Sequence, residues 1–269
     1  MLYKGLLYKS LLLVMSLLGL MVQSHAAAAF GFLPEQQVLK ILPALEQQAQ
    51  KEQKLLLLVL GANWCHDSVA LLKTFNEPAM SAALQQRFAM AFVDVGYLES
   101  GAATAARYRQ PLYYGTPTVL IIAPGSGQLL NKADVMHWTN AASLKLPDYQ
   151  QYFLQRDFVQ QFADTERQLA GINPLVLQQI NQFEQQQAAT LALAYQQLGP
   201  LLKAYKESGQ AASAEFKLLW DKIKTFRSSI LPEVQQLQQQ AAQLAQGESL
   251  KLPKVATTAL WQAPVTAKP

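Results

Sequence analysis

The sequence predicts an α/β sandwich with a mixed sheet flanked by helices, followed by a mostly α-helical, glutamine-rich C-terminal region. Three observations carry this. The apolar runs Leu55 to Leu60 and Ala89 to Val95 are short and each stops at a glycine, as strands buried on both faces do. Thr118 to Ile122 is a third apolar run, rich in β-branched residues. The tight turn Pro124-Gly125-Ser126-Gly127 follows it, so an antiparallel strand should return from Gln128. Beyond Gly171 the apolar residues recur every three or four positions among Gln, Ala and Lys.

The elements follow in order. Phe30 to Lys54 reads as helix, with Val38, Ile41, Leu42 and Leu45 on one face and a kink or break expected at Pro43. After the first strand, Val69 to Phe75 and Ala79 to Phe88 are short helices on either side of Asn76-Glu77-Pro78. Ala102 to Tyr108 forms another, and Tyr113-Tyr114-Gly115-Thr116-Pro117 is a turn. His137 and Trp138 fall on the returning hairpin, and Asp148 is placed to cap a helix from Tyr149 to about Leu169. Strands alternating with helices, closed by a hairpin and a helix, make a layered α/β fold.

Asn173-Pro174 starts the helical region, a capping side chain followed by proline in the first turn. Val176, Ile180, Phe183, Leu191, Ala194 and Leu198 form one apolar stripe, and Gly199-Pro200 is expected to break it. Phe216, Leu219, Ile223, Phe226 and Ile230 form a second stripe, continued past Pro232 by Val234, Leu237, Ala241 and Leu244. A helical hairpin or small bundle over 171–246 results. Its glutamine-rich faces suit solvent, with self-association as their alternative use. The proline-containing tail, 247–269, is expected to be disordered.

The first residues carry an export signal. Lys4 and Lys9 precede the apolar stretch Leu11 to Val22, and Ser24, Ala26, Ala27 and Ala28 offer a peptidase site. Cleavage after Ala26 or Ala28 fits, making 1–26 a signal peptide and the product periplasmic or secreted, with no membrane span left. An uncleaved anchor is the alternative, but a spanning helix needs about 20 apolar residues. Losing the two lysines takes the formal charge from +4 to +2, with no dense basic block, so nucleic acid is not an implied partner.

The chain has one cysteine, which excludes an internal disulfide. Cys65 lies in Trp64-Cys65-His66-Asp67-Ser68, after a buried strand and at the start of a helix. Unpaired N–H groups in a first helical turn favour a thiolate. His66 could add positive charge, while Asp67 opposes it, and Trp64 offers a flat apolar wall for an extended peptide. An inert buried thiol is the competing reading of Cys65. Adjacent residues at a helix start rarely converge on one ion, so no metal is implied at Cys65, His66 and Asp67, and no cofactor elsewhere.

Leu58-Val59-Leu60-Gly61-Ala62-Asn63-Trp64-Cys65-His66-Asp67-Ser68 resembles the strand-Trp-Cys-x-x-Cys-helix unit of the thioredoxin superfamily. Lys73-Thr74-Phe75-Asn76-Glu77-Pro78 and Phe92-Val93-Asp94-Val95 are similar to the thioredoxin-like domain of periplasmic disulfide-interchange reductases. Gly115-Thr116-Pro117-Thr118 resembles the family's cis-proline loop, which lies against the active cysteine and binds substrate backbone. The resemblance implies a thioredoxin-like domain over 30–170, with Cys65, His66 and Ser68 at the catalytic centre and Trp64, Thr116 and Pro117 contacting substrate. Proteins bearing thiols or disulfides would be substrates, and another redox protein a partner.

Two departures limit the chemistry. Ser68 stands where the family has its resolving cysteine, and Val59 where thioredoxins carry a buried acid. One-thiol exchange remains, through a mixed disulfide at Cys65. The alternative is a non-catalytic peptide-binding, chaperone-like or adaptor module that keeps the groove. N-terminal sequencing of the exported protein should find Ala27 or Ala29 first; a chain still beginning at Met1 would support the anchor instead.

Overall fold

The computed structural model describes residues 29–245 and 248–257; the expected leader and residues 258–269 of the expected tail lie outside them. Strands β1 (Leu33–Pro34), β2 (Leu55–Gly61), β3 (Phe88–Asp94), β4 (Thr118–Ala123) and β5 (Gln128–Leu129) form one sheet in the order β1-β3-β2-β4-β5. β3 runs parallel to both β1 and β2, whereas β4 is antiparallel to β2 and β5. The sheet is therefore mixed.

β2 is central and apolar on both faces. Leu56, Leu58 and Leu60 enter one apolar layer and Leu57 and Val59 the other, all fully buried. Each such side chain contributes about 1.5–3 kcal/mol when removed from water. The second layer is closed by α2 (His66–Phe75), α3 (Pro78–Arg87) and an aromatic group centred on Phe153. Phe75 meets the Phe153 ring edge-on at 4.8 Å, and Trp138 stacks on it at 4.6 Å. The first layer is covered by α1 (Glu35–Lys51), α4 (Ala102–Arg107) and a C-terminal hairpin of α7 (Pro174–Ser208) and α8 (Ala214–Ala241). Leu191, Ala194, Tyr195 and Leu198 of α7 and Ile223 and Ile230 of α8 share one cluster with Leu56, Leu58 and Leu60. The hairpin folds back onto the sheet.

Several local expectations are corrected. The first helix begins at Glu35, not Phe30. The rings of Phe30 and Phe32 pack on Phe92, while the Asn76 side chain bonds both the N–H and the carbonyl of Phe30. The returning strand is only two residues long, so His137 and Trp138 are not on it; they lie in a 3₁₀ segment, His137–Ser143. Asn131 ends the ladder by taking the role of a strand with its side chain. It accepts from the Ile121 N–H at 2.8 Å and donates to the Val119 carbonyl at 2.9 Å.

The single helix expected from Tyr149 to Leu169 is broken. α5 (Leu146–Gln150) passes into a π turn at Gln151–Gln155 that turns both Tyr152 and Phe153 inward. Arg156 is then extended, and Asp157 caps α6 (Phe158–Leu169) by accepting from the Gln160 N–H at 2.9 Å. Asp148 instead accepts from the Lys145 N–H.

Neither Pro43 nor Gly199-Pro200 interrupts its helix. At Gly199 the packing gives the reason. A Cβ there would sit 2.6 Å from the Tyr97 carbonyl oxygen, so glycine lets α7 press against the loop after β3. Residues 248–257, within the segment expected to be disordered, lie along the hairpin. The Ala256 N–H donates to Gln187 Oε1 at 3.0 Å, and its carbonyl accepts from Thr190 Oγ1 at 3.1 Å.

Gly199→Ala should therefore reverse the usual sign for a helix. An unhindered exchange gains about 1 kcal/mol, whereas this one should lose about 1–3 kcal/mol through overpacking, read as a lower urea midpoint.

Candidate active site

β2 delivers the chain to the edge of the sheet, and the backbone turns at Ala62, whose carbonyl accepts from the Cys65 N–H at 3.1 Å. Cys65 is the N-cap residue of α2, with extended backbone angles, and its carbonyl accepts from Val69. Its side chain makes no capping bond to the first helical turn. The side chain is 9% exposed.

The Cys65 thiol donates to the Thr116 carbonyl at 3.3 Å, and the Thr116–Pro117 peptide is cis. The two segments join across 51 residues because β2 and β4 are antiparallel neighbours: Leu60 pairs with Thr118, placing the end of one strand beside the start of the other. Three of the residues singled out in the sequence, Cys65, Thr116 and Pro117, thus meet at one place.

Trp64 stands beside them. Its indole N–H donates to the Gly96 carbonyl at 2.6 Å, while Gly96 itself turns on a bond to Asp94. The ring is half-buried and packs on the first apolar layer, the layer that the hairpin covers.

Ser68 is fully buried, and its hydroxyl has no hydrogen-bond partner among the described residues. Its oxygen is pressed against Gly61, where a Cβ would come within 2.7 Å of it, and the Phe32 ring closes the same space. His66 points outward and is exposed. Val59 is buried in the second layer, so the position preceding the motif is apolar.

Sequence reasoning missed two features. It treated Asp67 as a charge opposing the thiolate. Its carboxylate instead accepts from the Ala142 N–H at 3.0 Å and ties the 3₁₀ segment to α2. The partners are 75 positions apart, so no local pattern signals the pair. It also passed over Tyr113 and Tyr114, both buried, which lead into the cis proline. Burial pushes both phenols up, and the Glu184 carboxylate adds to the shift at Tyr114, so both keep their protons at neutral pH. A cavity of about 560 Å³ opens between α7 and the loop after β3, lined by Tyr97, Leu98, Tyr113, Tyr195, Gly199 and Lys203 among others. Cys65 is not in its wall.

A family model described as thioredoxin-like matches residues 39–124, from within α1 through β4 and the turn after it. Residues 39–124 are thioredoxin-like. The crystal structure of a disulphide isomerase from Xylella fastidiosa Temecula1 is similar at 27% identity, over 51% of this chain and 97% of that chain, with a TM-score of 0.39. No curated protein matches the chain. The thioredoxin-like match holds β2, β3 and β4 with Cys65 and the cis proline; β1, β5, α7 and α8 lie beyond it.

Ser68→Ala should leave the thioredoxin-like domain intact and raise stability by about 1 kcal/mol, since a buried hydroxyl without a partner costs about 1–3 kcal/mol. Urea unfolding measures this. A loss of stability would mean that the hydroxyl is bonded in solution.

Proposed function

We propose that this protein is an exported thiol–disulfide exchange protein that works with one thiol, Cys65. The observation that carries the reading is the Cys65 sulfur at the N-terminus of α2, held 3.3 Å from the Thr116 carbonyl beside cis Pro117. Thr116 and Pro117 offer backbone to an extended peptide, with Trp64 as the adjoining wall.

The reaction balances without a cofactor. The Cys65 thiolate attacks one sulfur of a substrate disulfide, forming a Cys65–substrate disulfide and releasing the other sulfur as thiolate. A thiolate of the same substrate then attacks the substrate sulfur of the mixed disulfide. A rearranged substrate disulfide forms and the Cys65 thiolate leaves. No net oxidation occurs. Ser68 cannot perform the second attack, and apolar Val59 supplies no proton acceptor for a resolving thiol, so release depends on a thiol from outside the chain. His66, exposed at the first turn, is placed to meet the substrate or a redox partner.

A second reading has an observation of its own. The thiol donates to a main-chain carbonyl within a nearly closed site, and the resolving position is filled by a buried, unbonded serine. A module that docks peptides without reacting would tolerate all three. For either reading, the periplasm or an extracellular location is the proposed compartment. Among the described residues no helix is long and apolar enough to cross a membrane.

Incubated with a scrambled-disulfide protein and a trace of small thiol, the protein should accelerate recovery of the native pairing. Cys65→Ser should abolish this, and Ser68→Cys should create dithiol reductase activity. Peptide binding that survives Cys65→Ser, without any mixed disulfide trapped from the unaltered protein, would favour the docking module.

A further inference from the structure

The segment Tyr113 to Pro117 presents its Thr116 carbonyl to the sulfur, yet several of its attachments lead away from the thioredoxin-like match to α7. Tyr195 donates its hydroxyl to the Tyr113 carbonyl at 3.3 Å, and the two rings stack at 5.3 Å. Tyr114 donates to Glu184 Oε1 at 2.7 Å. The same oxygen accepts from Lys132 Nζ at 2.6 Å, and Lys132 also donates to Gln110, whose amide holds the Leu112 carbonyl at 2.8 Å. Glu184 thus gathers the residues before the loop, the loop itself and the segment after β5 onto one carboxylate.

The Glu184 side chain is 5% exposed. Covering an apolar face needs no such group, and a buried charge is costly unless it is paired and hydrogen-bonded. Here it has both kinds of partner, and each is tied to the approach to the cis proline. Tyr195 repeats the pattern eleven positions, about three helical turns, along the same helix. Burial pushes its phenol up and keeps it a donor. Downstream, Thr118 Oγ1 holds the Gly115 carbonyl at 2.8 Å, so the residues on both sides of Thr116 are held.

We infer that α7 is part of the active site, with Glu184 and Tyr195 as positioning residues that hold the Tyr113–Pro117 loop in register with Cys65. The hairpin therefore does more than cover the sheet: it sets where the Thr116 carbonyl and Pro117 meet the sulfur and the substrate. The kinetic consequence rests on the exchange reading above; the structural one does not.

The test uses the untruncated protein and its Tyr195→Phe, Glu184→Ala and Glu184→Gln variants. Amide hydrogen exchange is followed by peptide mass for residues 112–118 and for β2. The rate of mixed-disulfide formation is measured with a peptide disulfide and with cystamine. In Tyr195→Phe and Glu184→Ala, exchange over 112–118 should quicken at least fivefold while β2 is unchanged. The ratio of peptide to cystamine rates should fall about tenfold. Glu184→Gln, which keeps an acceptor for Tyr114, should recover at least half of the lost ratio. Unchanged loop protection in the folded Tyr195→Phe variant overturns the inference. So does acceleration spread equally over β2, which would mark a general loss of stability. If the loop quickens but the unaltered protein reacts with neither disulfide, the positioning stands and the exchange function falls.

Discussion

The constraint on which the structure depends is the burial of β2 on both faces. Its side chains alternate between two apolar layers, so neither face can be left to water. α2, α3 and the aromatic group around Phe153 satisfy one side. On the other, α1 and α4 supply only part of the cover, and the C-terminal hairpin completes it with Leu191, Ala194, Leu198, Ile223 and Ile230. The same strand ends at the turn that leads to Cys65. The demand for a dry centre and the placement of the sulfur are therefore consequences of one element.

Antiparallel pairing with β4 then does the rest of the positioning. Because Leu60 faces Thr118, the residues just outside that pair, after β2 and before β4, approach each other. A parallel neighbour would have brought the far end of its strand to Cys65. The contact between the thiol and the Thr116 carbonyl follows from sheet direction as much as from the residues themselves. The residues just before that carbonyl are bonded to Tyr195 and Glu184 of α7, a helix outside the thioredoxin-like match.

The departures at Ser68 and Val59 are consistent with the packing around them. Ser68 occupies a space shared with Gly61 and the Phe32 ring, and Val59 belongs to the apolar second layer. A carboxylate at the latter position would lie in the layer that holds Leu57, Leu71 and Phe75, where a buried charge is costly unless paired. Both positions are part of the core, and the Cys65 thiol lies at the edge of the sheet.

By itself the sequence determined β2, β3 and β4 with the helices between them, the helix start at Cys65, the capped start at Asn173 and the apolar stripes of the two long helices. These are local properties: periodicity, apolar run length and turn chemistry all act within a few residues. It also showed Cys65 and Pro117 as members of one motif family. Only the tertiary structure decided what depends on residues far apart in the chain. Gly199 continues a helix because of Tyr97, and Asn131 ends a hairpin by bonding the backbone of β4. Asp67 serves Ala142, and Glu184, which no local pattern singles out, is buried against Tyr114 and Lys132. Proline, glycine and charged side chains have strong average tendencies. Gly199, Asp67 and Glu184 follow contacts made at a distance instead, and the local preference of a glycine against a helix is only about 1 kcal/mol.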